Sequence, residues 1–538
     1  MKNKLFSSLI LIGALSFTSC DLSEEPYGFY SENNFYKTEA DAEAAVNYIY
    51  DAITYIEFSR AIVFLGDMPT DALDPKRSTT VSDNQQLDEW KIASFKSNVS
   101  LGNFFKYCYI TINRANSVIK NIPSMSINEK LKSQYVGEAL FMRAYSYFYL
   151  ARNFGLVPLH LEPVSTLEQT LVGTAKSLDE LWGIIINDLK EACEKLTYFE
   201  KAEPGRVDLT AAHSLLAKVY LYLASAKDHG TPQYVNMSHD VNAYYNEAMK
   251  YAEKVVDNAE QKVFGFESNL LEIYNVDKPD GKEHIFIMSM DRTGVNEGQF
   301  SKISKMYIPY VSGGTIYLKN SATGQLEPSH DGWGEYVTNL NFYNSFDRGD
   351  KRHDWLIVDK VYDANDNVIA SLDDKKLSYP FCRKFIDPHF VGDKTSTRPY
   401  LIRYSDIALT YAEAAGPTDK AYQLVNYIRS RSGLGDLQPN LSLEKFREAV
   451  LNERKFELAF EGIRYWDLLR WKLAETVLVG EVWGAPYPKS TTYAGSTKFV
   501  DSTGHCRWYV GRRDFRNPQD YKWPIPLSEQ NINPNLRE

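Results

Sequence analysis

Apolar residues recur at helical spacing through most of the first half of this chain, and that periodicity limits the fold more than any other feature. The segments Glu39–Phe58, Leu101–Asn121, Asn128–Asn153, Ser177–Leu196, Leu209–Lys227 and Val241–Asn258 place apolar side chains three and four residues apart, which puts one apolar stripe along each helix. Start and stop signals divide them. Ser177 ahead of LDE reads as a helix cap, Pro123 and Pro158 end what precedes them, and Pro204 with Gly205 separates two helices. Such stripes must be buried against one another, so the chain is expected to be mainly α and built from packed helix pairs.

The texture changes after these helices. From Phe264 to Pro399 the chain carries short β-prone pieces such as HIFIMSM and turn signals such as SGG, HDGWG and DANDN, with little helical period. Helical spacing returns at Leu401–Ala415, Lys420–Ser430 and Ser442–Leu473, and Gly, Pro, Tyr and Trp again dominate from Val479 to Tyr521. The helix pairs are similar to tetratricopeptide units, without a clean repeat of about 34 residues. The expected organisation is a leader (1–19), an acidic tether (20–38), a helical scaffold (39–263), a loop-rich, ligand-facing insert (264–400) and C-terminal helices with loops (401–538). The helical and loop-rich parts interleave, which argues for one compact unit with long loops on one side.

The first residues indicate the compartment. Lys2 and Lys4 precede an apolar run from Leu5 to Leu15, short of the roughly 20 residues that span a bilayer, so the segment reads as a cleaved signal peptide. Ser19 directly before Cys20 fits a bacterial lipobox, with Phe17 where Leu is usual, and makes Cys20 the expected lipidation site. Asp21, Glu24 and Glu25 resemble an acidic surface-export tag, and a solvated tether is the alternative. A net charge of −10 argues against nucleic acid as a partner. Of the remaining cysteines, Cys108 and Cys193 fall within helical patterns and are expected to be buried thiols. The widely spaced Cys108, Cys193, Cys382 and Cys506 show no CxxC zinc pattern, and their disulfide state stays open.

No GxSxG, HExxH, P-loop or dinucleotide fingerprint is present. The 70 acidic residues offer no motif for a glycosidase pair. No catalytic residue, cofactor or metal site is therefore assigned. Calcium would have to come from carbonyls and carboxylates such as those of DANDN, which lack the EF-hand spacing. The acidic and basic residues of Leu451–Trp471, namely Glu453, Arg454, Glu457, Glu461, Arg464, Asp467 and Arg470, lie three and four apart among apolar residues. That spacing predicts ion pairs along one helix rather than a catalytic cluster.

The stretch LNERKFELAFEGIRYWDLLRW at Leu451–Trp471 resembles the signature of the SusD/RagB family of nutrient-binding outer-membrane lipoproteins. Further pieces carry the same resemblance: SENNFYKTEADAEAAVNYIYDAI, INRANSVIKNI, GEALFMRAYSYFYLARNFGLVPL, GRVDLTAAHSLLAKVYLYLA, IRYSDIALTYAEAA and WPIPLSEQNINPNL. The resemblance implies a tetratricopeptide-like helical fold with a variable loop region that contacts ligand. It implies a lipid-anchored, outward-facing protein of the outer membrane. Such a protein captures oligosaccharide and passes it to a SusC-like, TonB-dependent β-barrel. A peptide or glycopeptide binder of the same architecture, a helical-repeat interaction protein and a surface hydrolase are the alternatives.

Sugar rings present flat C–H faces that stack on aromatic side chains and hydroxyls that need polar partners. The resemblance implies a ligand site among loops of the early segment and of the middle insert. The candidates there are Trp333 between two glycines, Trp90, Tyr310 and Tyr317 flanking SGG, and Asp67 and Asp71 as hydroxyl acceptors, with Trp483 and Trp508 in the late loops ranking lower. For each of these, an anchoring role in the core or a loop is the competing reading.

Overall fold

The computed structural model describes residues 35–76, 82–257, 263–374, 376–377, 379–483, 497–500 and 506–537. Cys20, the leader and the tether before residue 35 lie outside the described residues, as do the side chains of Trp483, Cys506 and Trp508.

The helices form where the apolar period placed them: α1 Glu39–Thr54, α2 Ile56–Asp67, α3 Val99–Asn121, α4 Glu129–Phe154, α5 Leu178–Lys195, α6 Leu209–Asp228 and α7 Val241–Val256. Most are capped by a side chain that satisfies an otherwise orphaned N–H. Thr38 and Asp41 form a reciprocal capping box at α1, Ser177 accepts from the Glu180 amide at α5, and Asp208 accepts from the Ala211 amide at α6. Sequence spacing ran α1 on to Phe58. The chain instead breaks at Tyr55, whose φ of −58° and ψ of 145° are extended, and α2 starts anew.

Consecutive helices pack in pairs, α3 on α4, α4 on α5 and α6 on α7, and α7 then packs on α8 (Tyr404–Ala415). This chain of neighbours is the stacked helix-pair arrangement expected from the sequence. One continuous apolar core runs through it and takes in β2 (His284–Ile287) from the middle of the chain. Cys108, Cys193 and Cys382 are free thiols, and burial pushes the Cys108 thiol up.

The signature stretch is not one helix. It forms α10 (Leu443–Glu457), which follows α9 (Asp419–Arg431), then a turn, then α11 (Arg464–Arg470). Phe460 and Gly462 in the turn have φ of +66° and +72°. The turn exists because α2 presses on it: a Cβ on Gly462 would lie 2.4 Å from the Ile62 carbonyl, and one on Gly66 would lie 2.1 Å from the Gly462 carbonyl. Only two glycines allow the backbones to approach so closely.

The ion pairs are also differently wired from the expected ladder. Asp467 and Arg470 do pair within the stretch, at 2.9 Å. Most other partners come from distant elements. Arg403 reaches Glu283 at 2.6 Å, Glu457 at 2.8 Å and Glu461 at 3.0 Å; Arg352 reaches Glu453 at 2.6 Å; Lys384 reaches Glu461 at 2.7 Å; and Arg454 joins Asp406 at 2.8 Å to Asp467 at 2.9 Å. All of these groups are buried. Burial alone would raise the Glu457 carboxyl, but Arg431, Arg403 and Arg352 hold it down to about 2. The cluster is a charge-balanced knot tying α8, α9 and α10 to β2.

A second, smaller apolar cluster, including Ile308, Ile316, Leu318, Val361 and Phe381, lies under a four-stranded sheet. Its strands are β3 (Thr315–Lys319), β4 (Leu326–His330), β6 (Lys360–Tyr362) and β7 (Val368–Ser371), in the order β4–β3–β6–β7. The early segment reaches this region through β1 (Leu73–Pro75), which pairs antiparallel with β5 (Tyr336–Thr338).

Candidate functional site

β3 and β4 pair antiparallel with Thr315 opposite His330, so the loop entering β3 and the loop leaving β4 emerge at the same end of the sheet. The Asp331 side chain staples them together. It accepts from the Val311 amide at 2.7 Å, the Ser312 amide at 2.8 Å and its neighbour Gly332 at 3.1 Å, and also from the Gly313 amide. The Trp333 amide donates to the Lys305 carbonyl at 2.8 Å. Tyr310, 74% exposed, and Trp333, 36% exposed, therefore share one rim.

The glycines flanking Trp333 are set by packing. A Cβ on Gly332 would lie 1.8 Å from the Ile308 carbonyl, and Gly334, with φ +63°, has the Tyr379 hydroxyl 2.0 Å from where its Cβ would be. The segment is pressed onto the small sheet at both glycines, leaving the indole between them half-exposed. Lys305 lies 5.7 Å from the indole centroid and pairs with Asp393. Lys76, delivered by β1, donates to the Trp333 carbonyl at 2.8 Å.

Beside the rim lies a cleft of about 390 Å³ lined by Arg60, Asp83, Asn84, Asn103, Met306 and Tyr336, among others. Arg60 Nε is buried without a hydrogen-bond partner among the described residues. The Asp83 carboxylate is positioned by the Ser100 amide and hydroxyl, both at 2.9 Å. Sequence reasoning missed these residues. Arg60 and Asn103 sit inside helices with nothing in their local pattern to mark them, and only the β1–β5 pairing brings the early segment beside Tyr336.

The other candidates fare differently. Tyr317 is half-buried within the sheet, opposite Pro328 on one side and Tyr362 on the other, and so is off the rim. Trp90 is 5% exposed. It is wedged among Phe95, Tyr465 and Phe515, with its indole N–H donating to the Pro69 carbonyl at 3.3 Å. It is a core anchor, with no face open to a sugar. Asp67 is fully buried and accepts from the Gly462 amide at 2.7 Å and the Arg464 amide at 3.4 Å, which bolts α2 to the signature turn. Burial lifts its carboxyl to about 7. Asp71 holds Arg464 at 2.9 Å and Lys455 at 3.4 Å, and these cations overcome its burial to keep it down at about 2. Both aspartates are thus occupied by the scaffold.

DANDN forms the turn between β6 and β7, where Asp363 accepts from the Asn365 and Asn367 amides at 2.8 and 2.9 Å. Among the described residues no group of three or more His, Cys, Asp or Glu is arranged to hold a metal ion, and no helix is long and apolar enough to cross a membrane. The rim offers what a hydroxylated, flat-faced ligand needs: two aromatic surfaces, ammonium groups and a neighbouring polar cleft.

Two family profiles match the chain, one described as the SusD family over residues 282–538, the other as starch-binding associating with outer membrane over residues 30–221. The chain belongs to the SusD/RagB family. Among SusD-family relatives, the SusD-like protein P2 of Formosa agariphila is 25% identical over 502 residues, spanning 89% of this chain and 92% of its own. A solved SusD-like carbohydrate-binding protein from Bacteroides fragilis superposes with a TM-score of 0.71 at 24% identity, covering 94% of this chain and all of that one. A solved laminarin-binding SusD-like protein superposes with a TM-score of 0.69 at 20% identity, covering 93% and 98%. These likenesses establish the SusD fold end to end across the described helices.

Proposed function

We propose that this SusD-family chain is a surface glycan-binding protein that captures oligosaccharide at the Tyr310–Trp333 rim and delivers it to a SusC-like, TonB-dependent β-barrel. In this reading the acylated Cys20 anchors it to the outer membrane. The observation that carries the reading is the Asp331 staple, which ties together the two backbone segments bearing the exposed Tyr310 and Trp333 at one edge of the sheet, beside a polar cleft. Rigid aromatics give contact area at small entropic cost, because little conformational freedom remains to be lost on binding. The carbohydrate-binding relatives support the same reading.

The test is calorimetry against starch, laminarin and xyloglucan oligosaccharides, comparing the wild-type chain with a Tyr310→Ala/Trp333→Ala variant. Truncating two hot-spot aromatics costs about 2–4 kcal/mol, or about 30- to 800-fold in affinity. Unchanged affinity in a variant with native circular dichroism would move the site away from this rim.

A further inference from the structure

A second concavity, of about 570 Å³, opens further along α3 and shares no lining residue with the cleft beside Trp333. Its size lies within the range of small-molecule sites. Phe105 and Tyr109 of α3 contribute to its lining, together with Tyr48 of α1, His160, and Glu529 and Ile532 near the C-terminus. The frame around it is held in place. The Tyr109 hydroxyl donates to the Pro158 carbonyl at 2.8 Å, the Arg114 guanidinium lies 3.3 Å over the Tyr48 ring while donating to Asp51 at 3.0 Å, and the Asn533 amide donates to the Thr170 and Val172 carbonyls at 3.0 and 2.7 Å.

Two polar groups of the lining are left over. Among the described residues the Glu529 carboxyl and the His160 imidazole have no side-chain hydrogen-bond partner; His160 only stands edge-on to Tyr109 at 5.7 Å. Burial raises the Glu529 carboxyl against the pull of Lys106 and lowers the His160 imidazole, which favours the uncharged ring. A wholly apolar occupant would leave these groups unsatisfied, at a cost of about 1–3 kcal/mol each. Charge gives no grip on an ionic occupant either, because Arg114 is offset by Asp51 and Lys106 faces Glu529. At the mouth, Tyr48 and Ile532 are each 56% exposed; Arg114 covers one face of the Tyr48 ring and the rest of it stays open, as does the Ile532 side chain.

We infer that this concavity is a second saccharide site, which takes neutral pyranose units with their C–H faces on Tyr48 and their hydroxyls on Glu529 and His160. The inference rests on the glycan-binding reading of the chain. A neutral imidazole donates at one nitrogen and accepts at the other, and a carboxylate accepts at both oxygens, so the pair matches the mixed donor and acceptor character of vicinal hydroxyls. With two sites on one chain, a long polymer could be held at two points, and the second contact would be intramolecular.

The experiment labels isoleucine δ1-methyls with ¹³C in the full chain and titrates it with maltoheptaose and with laminarihexaose. Ile110 and Ile532 line the second concavity, whereas Ile308 lies directly beneath the Tyr310–Trp333 rim. The expected result is a saturable shift of Ile110 and Ile532 with at least one sugar. Tyr48→Ala, at an exposed ring, and Glu529→Gln should each weaken that shift by about tenfold or more while leaving the Ile308 response intact. Movement of Ile308 alone overturns the second site and leaves the rim reading standing. Movement of Ile110 and Ile532 alone upholds the second site and removes the rim. No response from either set to either sugar overturns both.

Discussion

Replacing Arg403 by Met should be among the most costly single changes in this protein. Arg403 is buried and makes five hydrogen bonds: two to Glu461 at 3.0 Å, one to Glu283 at 2.6 Å, and two to Glu457, through its carboxylate at 2.8 Å and its carbonyl at 3.0 Å. Methionine fills much of the same volume and removes the charge, so the knot of Glu283, Glu453, Glu457, Glu461 and Asp350 against Arg352, Lys384, Arg429 and Arg431 is left with one excess buried negative charge. Each carboxylate keeps another partner, such as Arg431 at 2.8 Å from Glu457 and Lys384 at 2.7 Å from Glu461. The cost is therefore that of one uncompensated charge, about 3–5 kcal/mol, rather than the sum of five bonds. The assay is urea unfolding followed by circular dichroism, with Lys445→Met as control. Lys445 pairs with Glu448 at 2.7 Å but is 62% exposed, and its loss should leave the unfolding midpoint nearly unchanged. Adding Glu283→Gln to Arg403→Met restores the charge balance and should recover part of the loss. A single-variant cost below about 1 kcal/mol, or a double variant no more stable than the single, would refute the charge-balance argument.

Asp67→Asn should alter how stability depends on pH. Folding raises the Asp67 carboxyl from its ordinary value to about 7, so the folded state holds the proton more tightly. Stability from this group is therefore full at low pH and falls as pH rises from about 4 to 7, by up to about 4 kcal/mol. The Asn variant should lose that slope and gain relative to wild type at pH 8, as read from unfolding free energies at pH 5 and 8; parallel curves would count against it. Gly66→Ala, whose Cβ would lie 2.1 Å from a backbone oxygen, should destabilise by about 3 kcal/mol or more. Gly183→Ala, inside α5 with open space around its Cβ, should be neutral or stabilising by up to about 1 kcal/mol in the same urea assay.

Local pattern made the helices legible, because a helix is decided by residues three and four apart and by its caps. Ser177 caps a helix whose start could be read directly. The turn that splits the signature stretch was hidden, since its cause is a contact between Gly66 and Gly462, 396 positions apart in sequence. The same reason misplaced the ion pairs. Charges at helical spacing look like partners, yet Glu453 and Glu457 find Arg352, Arg403 and Arg431 on other elements. At the candidate site, GWG correctly marked an exposed indole because glycines there are demanded by packing. Trp90 was misread because loop-like flanks do not reveal that Tyr465 and Phe515 close over its ring.

The small apolar cluster beneath the four-stranded sheet is separate from the main core. A chain built in this way divides its labour between two packings: one keeps the helical frame folded, the other sets the shape of the rim. Substitutions within the smaller packing can reshape the rim without loosening the frame. An architecture of this kind can vary one surface while its scaffold stands still.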